Sequence, residues 1–307
     1  MSTEPIIEPD GIDELERAIA KTAPDTEYLP KVARMTRGEL DALPSRVNEM
    51  KGISALAGPA NVIMQLALPA VGYGVYESTV DSGNLFKHPI KRTRTTLAYL
   101  SVATMGTPKD RKAYRKAVGK AHAKVRSTES SPVKYNAFDP KLQLWVAACL
   151  YKGWEDMQRI YGDPADITEE AYQHGAVLGT TLQVPREMWP ATRADFETYW
   201  NETVESLEID PIIREHLMSI VRAEFMPRWF SLAVGWWFEL LTIGFLPENF
   251  RDKMGLEFKP WQRRVFDTHN KVARAILVRL PKPLREFPFN LLLADTRWRI
   301  RTGRPLV

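Results

Sequence analysis

The stretch that decides the fold is HPIKRTRTTLAYLSVATMGTPKDRKAYRKAVGKAHAKVRS, residues 88–127. A proline just inside a helix and a capping residue before it are helix-start signals, and this stretch contains both. They predict one helix over Pro89–Met105 and a second from Pro108 to about Arg126, opened by Thr107 with Asp110 three residues on. Because the link between them is very short, we expect the two helices to be antiparallel neighbours.

His122 lies in the second helix, at the edge of an apolar face. Four residues of that face recur at spacings of four, three and four: Tyr114, Val118, Ala121 and Val125. Small residues surround the histidine: Ala117, Gly119, Ala121 and Ala123. These surroundings leave room for a large flat ligand against the helix. The alternative, which is commoner for a lone histidine beside an apolar stripe, is a boundary residue that hydrogen-bonds a carbonyl group.

The first helix carries a polar face. A guanidinium, two hydroxyls and a phenol follow one another at i, i+3, i+4 and i+7: Arg92, Thr95, Thr96 and Tyr99. Polar groups aligned on a core helix need partners. If the two helices are antiparallel, Arg92, Thr96 and His122 point toward one cavity. A solvated basic face is the alternative.

Helix signals extend over the rest of the chain, whereas the strict alternation of a half-buried strand is hard to find. Capped starts are expected at three places: Asp139-Pro140, Thr192 and Asp210-Pro211. Pro260 opens a helix that runs to Leu280. The apolar run Trp229 to Pro247 is interrupted by Glu239 and indicates a buried core helix. We therefore predict an all-α protein, a single compact bundle of about ten helices.

The two ends of the chain differ in charge. Residues 1–28 hold eight acids against two basic residues, and residues 297–304 hold four arginines. We expect residues 1–54 to form an acidic N-terminal segment with the first helices. The helical domain is expected over residues 55–290, and residues 291–307 are expected to be an Arg-rich extended tail.

Positive charge is concentrated in one part of the chain. The net charge is +4, but residues 87–126 contain twelve Lys or Arg against one Asp. Such a patch can bind nucleic acid or an anionic membrane, so a basic binding module is an alternative function. We expect no nucleic-acid partner, because no helix-turn-helix or RNA-binding signature accompanies the patch. Peripheral membrane contact through the Arg-rich tail stays open.

Several kinds of site and compartment are disfavoured by the motifs. The single Cys149 cannot form an internal disulfide and sits at core spacing. No His-Glu-x-x-His or Gly-x-Ser-x-Gly occurs. The other histidines are isolated and are expected at the surface or a boundary: His88, His174, His216 and His269. The acidic N-terminus lacks the layout of a signal peptide, so we expect a cytoplasmic protein.

Six segments in order resemble the rubber oxygenase catalytic domain family, which contains the latex clearing proteins and the MpaB-type oxygenases of fungal meroterpenoid biosynthesis. The segments are HPIKRTRTTLAYLSVATMGT, AHAKVRS, YNAFDPKLQLWVAACLY, LQVPREMWPATRADFETYW, LTIGFLPENFRDKMGLEF and LPKPLREFP. The resemblance covers about residues 55–290. Each motif is short, and the specificity comes from their order and spacing.

The resemblance implies a helical, globin-reminiscent fold around a non-covalent haem b, iron protoporphyrin IX. It implies His122 as the proximal iron ligand and Arg92 with Thr96 as the pair beside the haem, with the family spacing of four preserved. Glu77 is the nearest match to the family's catalytic base, at the cost of a one-residue gap. Latex clearing proteins carry a lysine before the pocket threonine, whereas this chain has Thr95, which we expect to line the haem site.

The function implied by the resemblance is that of a haem-dependent oxygenase, an oxidoreductase with dioxygen as co-substrate. Its substrate would be a hydrophobic small molecule, an isoprenoid or another alkene cleaved oxidatively at a C=C bond, and the missing lysine argues against long-polymer rubber. Basic surroundings suit the haem propionates, because arginine binds carboxylates in a bidentate way. No Cys-x-x-Cys-His is present, so covalent c-type attachment is excluded. A haem-binding protein without turnover is the other alternative.

Overall fold

The computed structural model describes residues 49–307, which are all-α, with one isolated bridge between Arg126 and Asn136 in place of any strand in this range. Nine helices have ten or more residues: α1 (Gly58–Ala67), α3 (Pro89–Met105), α4 (Pro108–His122), α5 (Pro140–Tyr161), α8 (Arg193–Ser206), α9 (Pro211–Val221), α10 (Arg228–Phe245), α12 (Pro260–Leu277) and α14 (Phe289–Thr302). Five are shorter: α2 (Pro69–Tyr76), α6 (Glu169–Gly175), α7 (Val177–Thr180), α11 (Glu248–Met254) and α13 (Lys282–Arg285). The prediction of an all-α fold is confirmed.

Helices begin where the sequence predicts. The Thr107 side chain accepts a hydrogen bond from the Asp110 amide at 3.3 Å, and the Asp110 carboxylate accepts one from the Thr107 amide at 3.0 Å. Thr192 and Asp195 make the same reciprocal pair at the start of α8. These capping boxes satisfy amide groups that would otherwise have no partner in the first turn. The predicted starts of α4 and α8 are therefore confirmed.

One hydrophobic cluster joins helices α1 to α3 and α5 to α12. Its centre is aromatic: the rings of Tyr151 and Phe196 meet edge to face at 4.9 Å, and Trp145 stacks on Trp200 at 5.3 Å. Cys149 is fully buried in the same cluster, as its spacing predicts. A core of this size holds the helices around it in fixed positions.

Helices α3 and α4 pack antiparallel, as the short link between them predicts. The Arg111 Nε group donates to the Ala103 carbonyl at 3.0 Å, next to the link. Farther from the link, the Tyr114 hydroxyl donates to the Thr95 carbonyl at 2.7 Å. The same register carries the C-terminal end of α4 to the first turns of α3. His122 and Arg92 are therefore brought to the same end of the helix pair.

The C-terminal segment differs from the prediction. Residues 291–307 were expected to be extended, but most of them belong to α14. Leu293 of this helix and Leu306 beyond it are buried against Ala98, Val102 and Tyr114 of α3 and α4. This apolar contact stabilises a helix whose arginine-rich sequence alone suggests solvent. The acidic segment predicted at the N-terminus lies, up to residue 48, outside the described residues.

Helix α10 also differs from the prediction. Its C-terminal half is buried, but its N-terminal half exposes large apolar side chains, among them Trp229 and Leu232. The expectation of a fully buried core helix is therefore wrong for that half. Across residues 49–307, no single helix is long and apolar enough to cross a membrane. One pair would suffice by length and composition together, Gly52–Ala67 with Pro69–Tyr76, but it is bent by 110°.

Candidate active site

A cavity of about 1380 Å³ lies between the α3–α4 pair and the apolar helices α1, α2, α5 and α10. Pockets for small molecules usually have volumes of about 300–1,000 Å³, so this one has room for a large ligand, or for a cofactor and a substrate together. The predicted polar face of α3 lines it: Arg92, Thr95, Thr96 and Tyr99. His122 lines it from α4. The structure thus brings the predicted residues of both helices to one cavity.

His122 is the last residue of α4, since the helix ends four residues earlier than predicted. Its buried Nδ1 atom has no hydrogen-bond partner among residues 49–307, and its ring lies edge-on to Phe138 at 6.3 Å. Burial, helped by the nearby positive charge of Arg92, lowers the pKa of His122 to about 4. The imidazole is therefore neutral at pH 7. A neutral imidazole has the free lone pair that a metal ligand needs.

Arg92 presents an uncompensated charge to the same cavity. Its guanidinium makes no hydrogen bond or ion pair with any residue that the structure describes, and burial lowers its pKa. Two residues on, Arg94 is paired with Asp295 at 3.3 Å. A desolvated cation without a counter-ion costs stability, so such groups are normally paired. Arg92 is therefore placed to bind an anionic group of a ligand.

The two threonines beside Arg92 bond to their own helix. The hydroxyl groups of Thr95 and Thr96 each donate to the Arg92 carbonyl at 3.0 Å. Their oxygens keep lone pairs that can accept a hydrogen bond from a ligand. The Tyr99 hydroxyl donates to the Leu178 carbonyl, and burial raises the pKa of this phenol, so it stays neutral.

Glu77 does not line the cavity. Its Oε2 atom accepts hydrogen bonds from the Ser131 hydroxyl at 2.6 Å and from the Tyr135 hydroxyl at 2.7 Å. Tyr135 itself lines the cavity, so this hydrogen bond links the carboxylate to the cavity wall. The proposed role of Glu77 as a base stays a prediction. From this position the carboxylate orients the phenol of Tyr135.

Two further histidines line the cavity, which sequence reasoning missed. His174 of α6 is only 4% exposed, so the expectation of a surface or boundary residue is wrong for it. His216 of α9 lies at the opening, where its ring contacts Tyr76 at 5.4 Å and Phe86 at 5.3 Å. The apolar and small residues that follow His174 in GAVLG were the available signal. By contrast, His88 is an exposed partner of an aspartate at the start of α3.

These residues fit a haem better than a free metal ion. In the range 49–307 no three His, Cys, Asp or Glu side chains come together as a metal site. A haem iron needs only one protein ligand on its proximal side, because the porphyrin supplies four nitrogens. A neutral buried imidazole, an unpaired guanidinium and a large apolar cavity match an iron, two propionates and a macrocycle.

The opening of the cavity is apolar. Val75, Tyr76 and Phe86 line the cavity and are also exposed to solvent, so they mark its mouth. Phe86 packs against Phe225 at 6.3 Å, just before α10. A hydrophobic substrate is the kind of ligand that such an entrance admits.

Comparison with known proteins assigns the chain to a family. Residues 46–276 match the family described as ER-bound oxygenase mpaB/B′ and rubber oxygenase, catalytic domain. Uncharacterized proteins of Mycobacterium tuberculosis and Mycobacterium bovis are each 52% identical over 251 residues, which is 81% of this chain and 98% of the relative. No solved structure matches the chain. The match covers most of the chain and includes both helices of the site, so this protein belongs to the mpaB and rubber oxygenase catalytic domain family, a family of oxygenases.

Proposed function

We propose that this protein is a haem b-dependent oxygenase that cleaves a C=C bond in a hydrophobic, isoprenoid-like substrate. The proposal rests on two groups in the wall of one large cavity. The imidazole of His122 has a buried nitrogen without a hydrogen-bond partner, and the guanidinium of Arg92 has no counter-ion. Neither group has its requirements met by the residues that the structure describes. Both would be met by haem.

His122 would hold the iron. Its low pKa keeps the ring unprotonated over the whole physiological pH range, so a proton does not compete for the lone pair. The neighbouring Phe138 ring restricts the orientation of the imidazole. When bound, haem supplies an iron centre that activates dioxygen, the co-substrate.

Arg92 would hold a propionate carboxylate. A guanidinium and a carboxylate form two parallel hydrogen bonds, which fixes both the position and the orientation of the ligand. The carbonyl oxygen of Arg92 accepts hydrogen bonds from the hydroxyl groups of Thr95 and Thr96. These bonds hold the three residues together on the first turns of α3. Thr95 stands where latex clearing proteins have a lysine, and its short side chain leaves the cavity open at that point.

The rest of the cavity would bind the substrate and exclude water. Its wall between the site and the mouth is built mostly from aliphatic and aromatic side chains, which favour an apolar molecule. Tyr135 is oriented by Glu77 and lines this wall. Because its hydroxyl donates to Glu77, Tyr135 contributes a fixed side chain to this wall.

Contacts within the basic stretch favour this function over a nucleic-acid module. Several of its arginines bond to the protein itself: Arg94 to Asp295, Arg111 to the Ala103 carbonyl and Arg115 to the Thr181 carbonyl. These side chains hold α3 and α4 against each other and against neighbouring parts of the fold. They are less available to phosphates than a solvated basic face would be.

Reconstitution with haem tests the proposal. The purified chain should take up haem and show the Soret band of a histidine-ligated haem, and His122→Ala should lose that band. His88→Ala is the matched control, because that imidazole is exposed and bonded to Asp81, and it should keep the band. A band that survives in His122→Ala and disappears in His174→Ala would overturn the assignment of the ligand.

Turnover separates an oxygenase from a haem-binding protein without activity. Haem-loaded protein given an isoprenoid such as squalene should consume dioxygen and form carbonyl products. Arg92→Ala should reduce both the retained haem and the rate. Full haem loading without oxygen uptake on any alkene offered would leave only the non-catalytic alternative.

A further inference from the structure

The exposed half of α10 carries an apolar stripe. Trp229, Leu232 and Trp236 occupy positions i, i+3 and i+7 of the helix and therefore share one face. Trp229 is 71% exposed and Leu232 is 83% exposed. Ala233, four residues after Trp229 on the same side of the helix, is exposed as well. Single exposed apolar residues are ordinary, but a contiguous stripe of large ones marks an interaction surface.

Helix α12 extends this stripe. It packs antiparallel to α10, with Phe266 against Phe245 at 4.9 Å and His269 against Trp237 at 4.9 Å. Residues of α12 beyond His269 therefore lie beside residues of α10 before Trp237. Two exposed apolar residues are found there, Val272 and Ile276. We call the surface formed by Trp229, Leu232, Trp236, Val272 and Ile276 the α10–α12 face.

The α12 side of the α10–α12 face is basic, whereas α10 contributes one exposed acid next to the stripe, Glu239. Residues 260–285 contain seven Lys or Arg against one Asp. Lys271 is adjacent to Val272, Arg279 lies one turn beyond Ile276, and both are exposed. Tryptophan and leucine beside lysine and arginine are the composition of helices that lie in the interface of an anionic bilayer. Each basic residue near such a surface adds electrostatic attraction to the anionic lipids.

The α10–α12 face adjoins the mouth of the cavity. Another side of α10 lines the cavity through Phe230, in the same half, and Phe238, just beyond it. Trp229 of the face contacts Phe230 at 5.8 Å, and Phe238 contacts Phe225 of the mouth at 5.8 Å. The wall between the exposed stripe and the cavity is therefore one helix thick.

We propose that the α10–α12 face docks on an anionic phospholipid bilayer and sets the cavity mouth against the lipid. A hydrophobic substrate dissolved in the bilayer then enters the cavity without crossing water. This entry route rests on the proposed function, whereas the docking does not. This surface is separate from the Arg-rich C-terminal residues, whose helix packs on α3. Docking from one side also needs no membrane-crossing helix.

Vesicle binding by the full-length chain tests the proposal. The chain should sediment with vesicles of equal parts phosphatidylcholine and phosphatidylglycerol, and not with phosphatidylcholine alone. Leu232→Glu should lower the partition coefficient about tenfold or more, because it replaces an exposed leucine that the bilayer would bury. Ile90→Glu is the matched control, since Ile90 is 85% exposed at the start of α3. It should leave binding unchanged.

A second pair of variants tests the charge. Lys271→Glu with Arg279→Glu should abolish binding to the anionic vesicles. Lys109→Glu with Lys112→Glu makes the same charge change on exposed residues of α4 and should leave most of the binding. Equal losses in the two pairs would show general attraction of a basic protein and overturn the assignment of the face.

Other occupants of the face give different results. If a second copy of the chain covers it, sedimentation equilibrium will show a dimer that Leu232→Glu dissociates, with no vesicle binding. Absence of binding by the unmodified chain also overturns the proposal. The vesicle assay measures how much protein sediments with the lipid, and this amount does not depend on haem. A failed Soret test and a failed docking test are therefore distinguishable.

Discussion

At the scale of the residue, Arg92 shows a conflict between stability and binding. An arginine that lines a cavity without a counter-ion destabilises the protein in the absence of ligand, yet it is the group that a carboxylate ligand would need. Arg94, on the next part of the same turn, has its partners within the fold, Asp295 and the Leu306 carbonyl. The two arginines of one helix are therefore expected to have opposite effects on the stability of the ligand-free protein: Arg92 lowers it and Arg94 raises it.

Replacing Arg92 by Met should separate the two effects. We expect Arg92→Met to raise the free energy of unfolding of the haem-free protein by about 1 kcal/mol, because a desolvated charge is removed. Its affinity for haem should fall about tenfold or more through the loss of charge-assisted hydrogen bonds. Urea unfolding measures the first quantity and a haem titration the second.

Arg94→Met is the control for that experiment. It removes an arginine that is paired with Asp295, so it should lower the stability of the haem-free protein and leave haem affinity close to that of the unmodified chain. If Arg92→Met destabilises the haem-free protein as much as Arg94→Met, the guanidinium has a partner in solution and its proposed role is wrong.

At the scale of the element, the sequence predicts where helices begin better than where they end. The start of α4 is encoded locally, in a threonine, a proline and an aspartate. Its end is set by distant residues: the Ala137 amide donates to the Val125 carbonyl at 2.9 Å and the Ser127 amide to the Tyr135 carbonyl at 2.8 Å. This pairing draws the chain out of the helix after His122, and no local pattern announces it.

The same limit applies to the candidate site. Arg92, Thr95, Thr96 and His122 could be predicted because they lie on two adjacent helices with a short link, so helical periodicity and one antiparallel contact place them. His174 reaches the cavity from α6 through the fold of the whole chain. The small and apolar residues that follow it indicate burial, but they do not indicate which cavity it reaches. Glu77 was placed by resemblance, and only the structure shows that it does not line the cavity and that its carboxylate accepts hydrogen bonds from Ser131 and Tyr135.

Two helical glycines, one in α4 and one in α2, test how closely their helices pack against neighbouring residues. At Gly119 an added Cβ would meet nothing closer than Gln183 Nε2 at 3.9 Å. Gly119→Ala should therefore stabilise the protein by about 0.5–1 kcal/mol, because alanine loses less backbone entropy in a helix. At Gly72 of α2 a Cβ would lie 2.5 Å from the Leu66 carbonyl oxygen and 2.8 Å from Ile213 Cγ2. Gly72→Ala should destabilise by about 1–3 kcal/mol.

Thermal or urea unfolding of the two variants checks the pair. The substitutions are chemically identical and both positions are buried, so opposite signs can come only from the space around each Cβ. Gly119→Ala should also keep its Soret band, because that position points toward Gln183 and not into the cavity. Destabilisation by Gly119→Ala would mean that α4 lies closer to its neighbours than the structure shows.

At the scale of the whole molecule, the cavity explains why the apolar pattern misled at α10. Apolar periodicity indicates that a helix face leaves water, and it does not say whether protein, cofactor or lipid covers that face. In α10 one face of the N-terminal half lines the cavity and another is exposed. The prediction of a buried core helix assumes that other protein residues cover both faces. This assumption is wrong in a protein with a large cavity, wherever a ligand covers the apolar face.

A cavity of about 1380 Å³ makes the stability of the fold depend on its ligand. At free haem about one hundred times above Kd, the folded state should gain about 2.7 kcal/mol, seen as a rise in Tm. Iron-free protoporphyrin IX fills the same space without a bond to His122, so it should give a smaller rise. His122→Ala should respond to haem only as the unmodified chain responds to protoporphyrin, because the variant keeps the cavity and loses the ligand. Equal rises for haem and protoporphyrin in the unmodified chain would show that the macrocycle binds without axial ligation, and His122 would then have no part in holding the iron.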